Sequence, residues 1–284
     1  MNKLSKERRV QVVKALVEGN SINGIVRMNG VSKNTVLKLL ADLGSACLDY
    51  QDVTLRNLNL RYIQCDEIWE FCYAKEKNVP EEHKGEFGYG DVWTWTAIDS
   101  ETKLVPCWHV GKRDGRDAWY FISNLRSRLA NRVQVTTDGH KAYLQAIEGV
   151  FGSEVDYAML VKIYGATEPE REAGRRYSPA ECVGTETTVI QGKPDKEHIS
   201  TSYVERQNLT MRTSMRRFTR LTNGFSKKLE NHMHAISLHF MFYNFARPHK
   251  TLSKPYLTTP AMAAGLTDRI WTIEDIVSLL GDSS

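Results

Sequence analysis

The chain contains no apolar run approaching the roughly 20 residues that a membrane-spanning helix requires. Its basic N-terminus, residues 1–9, leads into no apolar stretch or cleavage site of a secretory signal. A cytoplasmic protein with no membrane partner is therefore expected. Paired cysteines are missing too: Cys47, Cys65, Cys72, Cys107 and Cys182 are odd in number, widely spaced and form no CxxC. That argues against a disulfide framework and a zinc ribbon, and predicts reduced, mostly packed thiols. No compositional extreme is present either. The 284 residues are 41% hydrophobic and 25% charged, which argues against disordered, collagenous and coiled-coil classes. The length suits one large domain or two smaller ones.

The net charge is only +4, but it is unevenly spread: +4 over residues 1–56, −6 over 57–205, +9 over 206–254 and −3 over 255–284. Basic segments are the footprint of a polyphosphate partner, and an acidic middle can hold a cation. The plainer alternative is a set of solvated faces. In the first basic segment Val10, Val13, Leu16 and Val17 recur at helical spacing, so a helix is expected over 6–18, stopped by Gly19-Asn20. Ser21 caps a second helix over 22–28, ended by Asn29-Gly30, and Ser32 caps a third over 33–43. A short helix, a tight turn and a longer helix presenting Lys33, Asn34, Thr35 and Lys38 form a helix-turn-helix pattern, whose second helix would enter a DNA major groove. A small bundle that binds nothing shows the same pattern. Residues 42–60 read as a connector, which sets an N-terminal DNA-binding domain at 1–56.

From Leu60 the period changes. Strands are expected at 61–71, 92–98, 104–110, 132–137 and 155–163, with helices at 117–129 and 140–150. Three strands in a meander followed by helix, strand, helix, strand imply an α/β core, a mixed five-stranded sheet flanked by helices, over 57–255. Residues 165–200, with Gly174, Pro179, Gly184, Gly192 and Pro194, read as a turn-rich insertion carrying a hairpin, and 256–284 as a C-terminal tail helix. A long helix over 227–245 carries His232, His234 and His239. Their spacing of two and five does not put two ligands on one helical face, so packing is the expected role. Trp93 and Trp95 share a strand face and are expected in the core.

Three acids stand out in this order. Asp66 lies inside the first strand among Ile63, Cys65, Ile68 and Trp69, where a buried acid needs a partner. Strand alternation sends its neighbour Glu67 to the opposite face. Asp138 follows directly on the fourth strand, where open α/β sheets bind ligands, although a turn or cap aspartate is the alternative. Glu205 sits in a helical stretch, where a surface glutamate paired with an arginine is the alternative. Brought together, three carboxylates would be costly without cations, and hard oxygen donors suit two Mg²⁺ or Mn²⁺ ions in phosphodiester chemistry. Asp91, Asp99 and Asp114 are competing candidates, with Asp99 the strongest of them. After Glu205, Arg206, Arg212, Arg216, Arg217 and Arg220 form a basic strip that could track phosphates; a solvent-facing basic helix is the alternative.

The stretches QCDEIW (64–69), EFGYGDVWTWTAIDSETKLVPCWHVGKRD (86–114), TTDGHKAY (136–143), YVERQNLTMR (203–212) and YNFARPHKTL (243–252) resemble, in order, those of the DDE transposase and integrase superfamily. They are most similar to the bacterial insertion-sequence-one-type transposases. The resemblance implies an RNase H-like catalytic domain, metal-dependent cleavage at the ends of a mobile element and strand transfer into double-stranded DNA. It puts the catalytic and metal-binding triad on Asp66, Asp138 and Glu205, and a DNA-contacting cation on Arg212. Asn208 belongs to the matched motif, with no role assigned. Pairing two element ends implies a homodimer or larger assembly, bacterial and nucleoid-associated when bound. Unlike many members, the chain has no paired cysteines before residue 47, so no zinc finger is carried over. A catalytically inactive DNA-binding regulator and an RNase H-like nuclease without strand transfer remain the alternatives.

Overall fold

The computed structural model describes residues 4–165, 182–219 and 223–281. Three N-terminal helices, α1 (Lys6–Val17), α2 (Ile22–Asn29) and α3 (Lys33–Thr54), begin at serine N-caps. Ser21 Oγ accepts from Gly24 N at 3.1 Å and Ser32 Oγ from Thr35 N at 3.1 Å, caps worth about 1 kcal/mol each. Gly30 ends α2 in the left-handed conformation, at φ 60°.

The third helix does not stop at residue 43 as expected; it continues through the presumed connector to Thr54. The reason is packing. Leu40, Leu43, Gly44, Cys47 and Gln51 continue the buried stripe, now against α7 (Leu229–Met241). A Cβ on Gly44 would come within 2.5 Å of His234, so glycine permits the close approach. Ser237 Oγ donates to the Gly44 carbonyl at 2.8 Å, and Gln51 Nε2 to the Ser237 carbonyl at 3.1 Å.

The sheet comprises β1 (Tyr62–Cys72), β2 (Gly90–Asp99), β3 (Trp108–Gly111), β4 (Val133–Thr137), β5 (Val155–Tyr164) and β6 (Cys182–Gln191). Their order is β3-β2-β1-β4-β5-β6. The first three strands form an antiparallel meander, β1, β4 and β5 run parallel, and β6 returns antiparallel to β5. Among the described residues the sheet is thus mixed, as expected, but has six strands rather than five. The sixth arises from the segment read as an insertion, whose Thr- and Val-rich run 182–191 pairs with β5. Residues 166–181, with Gly174 and Pro179, lie outside the described residues, as does Arg220. The strand expected at 104–110 starts only at Trp108, because Pro106 has no N–H to give to a ladder. Val105 pairs instead with the Asn244 amide, its N–H at 3.0 Å and its carbonyl at 2.9 Å.

Helices α4 (Gly115–Arg128) and α5 (Ala142–Phe151) cover one face with Phe121, Leu125 and Tyr143 against Trp95, Cys65 and Val135. On the other, α6 (Ser202–Ser214) and α7 pack Val204, Met211 and Phe240 against Ile68, Val92 and Ile98. The tail is not one helix. Two short ones, α8 (Pro260–Ala263) and α9 (Ile273–Ser278), each start at a threonine cap and are separated at Gly265, φ 72°. Among the described residues, no helix is long and apolar enough to cross a membrane. All five cysteines are free, and only Cys182 is exposed.

Candidate active site

The site begins with the register of β1 and β4. Their parallel pairing ends at Cys65 opposite Thr137, so Asp66 and Asp138 follow side by side at the carboxyl edge of β4. On the face of β1 that carries Asp66, Gln64 is buried and its Oε1 accepts the Tyr203 and Val204 N–H groups at 2.8 and 3.2 Å. These are orphan donors of the first turn of α6, so the sheet itself caps the helix and fixes it over the acids. Three residues along α6 from Glu205, Asn208 Nδ2 donates to Asp66 Oδ2 at 2.8 Å. The other oxygen, Oδ1, accepts the Glu67 N–H at 2.9 Å. Asp138 Oδ1 accepts the His140 N–H at 2.9 Å and keeps 37% of its side chain exposed.

One expectation fails here. Glu67 leaves β1 on the opposite face, yet carboxylate oxygens of Asp66, Glu67 and Asp138 all lie within 4.8 Å of one another. Strand alternation separates side chains only while a strand on each side extends the sheet. β4 has ended at Thr137, so Glu67 reaches round its edge. Its side chain, 1% exposed, is held by Arg113 Nε at 2.6 Å and Tyr143 Oη at 3.1 Å. Arg113 also stands 3.9 Å from Asp138 and lies over the Trp93 ring.

The electrostatics follow from this crowding. Burial, then the charges of Glu67, Asp138 and Glu205, push the Asp66 carboxyl up to about 7. Burial and Asp138 raise Glu67 as well, with Arg113 opposing them. Burial and the Arg113 charge lower His140. A clustered set of hard oxygen donors whose fully charged state is disfavoured by burial and by mutual repulsion is chemically suited to a divalent cation.

Glu205 lines the same opening as Asp66, with Asn208, Leu209 and Arg212, around a cavity of about 250 Å³. It stands outside the three-acid group. Thr201 Oγ1 donates to its Oε1 at 2.7 Å and Lys162 of β5 grips its Oε2. Burial works against the Lys162 charge, but the Glu205 contact outweighs it and raises its pKa. Arg212 is half-buried, and its charge bears on Glu70 below the opening.

The remaining basic residues divide. Arg206 is exposed on α6, whereas Arg216 and Arg217 fall beyond its end, in a 3₁₀ turn, so the strip is not one helix. Arg217 turns inward, donating to Ser226 Oγ at 2.8 Å, and burial lowers its pKa. Lys33, Asn34 and Lys38 are exposed on α3; Lys38 pairs with Asp42 at 2.6 Å and Thr35 shares a hydrogen bond with Ser32 at 2.8 Å. The competing acids have structural roles. Asp99 is buried, accepting from the N–H groups of Tyr62 and Thr102 at 3.2 and 2.7 Å, and Asp114 caps α4. Asp91 is exposed. His239 is buried and its pKa falls to about 3, and His232 is likewise buried, in keeping with packing roles.

Gln64, Arg113, Tyr143 and Lys162 escape a reading by sequence. Only Lys162 leaves a trace, as a lone cation in the apolar run AMLVKIY of a strand beside the acids.

No protein-family model and no curated protein sequence matches the chain. Among solved structures, a piggyBac transposase synaptic complex with hairpin DNA aligns over 99% of this chain and 72% of that one, at 12% identity and a TM-score of 0.40. The Mos1 strand transfer complex aligns over 85% of this chain and 76% of that one, at 12% identity and a TM-score of 0.25.

Proposed function

We propose that the chain is a DDE-type transposase, whose RNase H-like core cuts and joins DNA and whose N-terminal helices bind the terminal inverted repeats of a mobile element. One observation carries this reading: adjacent parallel strands deliver Asp66 and Asp138 to one point, beneath a helix whose Glu205 lines the same opening. The resemblance of the sequence motifs to that superfamily supports it. So does the strand order, an antiparallel meander extended by two parallel strands. Asp66 and Asp138 would hold Mg²⁺ or Mn²⁺, two ions when the set is completed by Glu205. Such ions, when bound, activate a water or a 3′-hydroxyl and stabilise the leaving oxygen.

The chain's own residues have clear tasks in this scheme. Asn208 orients the Asp66 carboxylate, and Gln64 anchors the helix that carries both Asn208 and Glu205. Arg113 and Tyr143 hold Glu67 in place. Arg206, Arg212 and Arg216 would meet backbone phosphates, as would Lys33, Asn34, Thr35 and Lys38 on α3; Arg217 would first have to leave Ser226. Pairing two element ends calls for at least a homodimer. The test is cleavage of a labelled duplex bearing the flanking inverted repeat, with Mn²⁺ or Mg²⁺. Wild type should nick or join the end, and Asp138→Asn should bind but not cut. Binding without cleavage by wild type, on intact and pre-nicked ends alike, would replace the enzyme with a DNA-binding regulator. Equal cutting of duplexes without the repeat, with no joining, would indicate a nuclease.

A further inference from the structure

Glu205 lines the same opening as Asp66, yet both its oxygens are engaged by residues that do not line it. Thr201 Oγ1 donates to one at 2.7 Å and the Lys162 ammonium holds the other. The backbones carrying this pair are fixed. Lys162 sits in β5 opposite Thr185 of β6, and α6 is tied to β1 through Gln64 and Asn208. What can turn is the two side chains, 29% exposed for Lys162 and 39% for Glu205. A partly exposed ammonium paired with one of the acids that line a cleft has two natural partners, a carboxylate and a phosphodiester oxygen. Both give charge-assisted hydrogen bonds of similar strength.

On the metal-dependent DNA reading above, we propose that Lys162 is a positioning residue that couples DNA binding to metal binding. Without DNA it sequesters Glu205. A backbone phosphate entering the cleft takes the ammonium and frees Glu205 to turn toward Asp66 and Asp138. The exchange keeps the ammonium paired throughout, so the trade costs little in desolvation. It also adds a third carboxylate to the donor set only when substrate is present. By linkage the effect is reciprocal: a cation that draws Glu205 away leaves Lys162 open to phosphate.

The test is calorimetric titration of Mn²⁺ into wild type, Lys162→Met and Lys162→Arg, each alone and with a short DNA duplex, after subtraction of the duplex-only heat. In wild type the duplex should tighten Mn²⁺ binding by roughly 5- to 150-fold, the usual range for coupled sites. Lys162→Met, which keeps the aliphatic stem, should bind Mn²⁺ without DNA about as tightly as wild type does with it. The duplex should then add less than about twofold. Lys162→Arg should restore the coupling. Weak Mn²⁺ binding by Lys162→Met that the duplex still tightens would overturn the role of Lys162 while leaving the metal site standing. No saturable Mn²⁺ uptake by wild type, with or without DNA, would overturn the metal site and the coupling together.

Discussion

Strand β1 carries two acids on one face, the half-buried Asp66 and the buried Glu70, and their surroundings differ. Glu70 Oε1 accepts from Thr94 Oγ1 at 2.7 Å and lies 2.9 Å from His232 Nε2, and His232 Nδ1 is 2.9 Å from Ser226 Oγ, which Arg217 also contacts. Burial raises the Glu70 pKa, and its contacts with His232, Thr94 and Arg212 work the other way. Asp66, four residues earlier on the strand, is pushed to about 7 by burial and by the charges of Glu67 and Asp138. A serine, histidine and acid stand in line as in a nucleophilic triad, but Ser226 is 1% exposed and has an arginine on its hydroxyl, so the line is structural. The Glu70 network pairs an acid with a histidine and buries it away from any opening, whereas Asp66 gathers further carboxylates, Glu67 and Asp138, beside an opening, which marks its cluster as the site.

The sharpest way to break that contrast is activity. Asp66→Asn should lower Mn²⁺-dependent cleavage on the order of 10³-fold, the equivalent of about 4 kcal/mol. Glu70→Gln, adjusted for folded fraction, should cut within a few-fold of wild type. Stability should respond in reverse. Glu70→Ala strands Thr94 and His232 in the core and should cost about 3 kcal/mol in urea unfolding.

Metal-free Asp66→Asn should be at least as stable as wild type. An unfolded Asp66 loses its proton near 3.8 and the folded one near 7, so between these values the native state binds more protons. Stability of the metal-free wild type should therefore fall as pH rises from about 4 to about 7 and level off above. Asp66→Asn should flatten that slope. Glu67 is the intermediate case, a cluster member with its own cation. Tyr143→Phe removes one of its two partners and should cost only about 1 kcal/mol, leaving the melting of Glu70 variants as the larger effect.

Most of this framework could be read from local pattern. Helices α1 and α2, the β-rich runs of β1 and β2, and Asp138 at the end of β4 all follow from residues within a turn or two of each other. What escaped depends on distant neighbours. The length of α3 rests on His234 meeting Gly44, a contact across 190 residues. β6 exists because β5 gives it a ladder. Glu67 joins the acids because β4 stops two residues before its level, and alternation cannot register a neighbouring strand's end. Lys162 reaches Glu205 across the β4 edge, so its role needs the sheet order.

The central claim, that the clustered acids on β1 and at the end of β4 hold a divalent cation, is tested most directly by Mn²⁺ titration calorimetry on wild type, Asp66→Asn and Glu70→Gln in parallel. Saturable binding by wild type and Glu70→Gln, lost in Asp66→Asn, is the result the account requires. Binding by Asp66→Asn with wild-type affinity would contradict it.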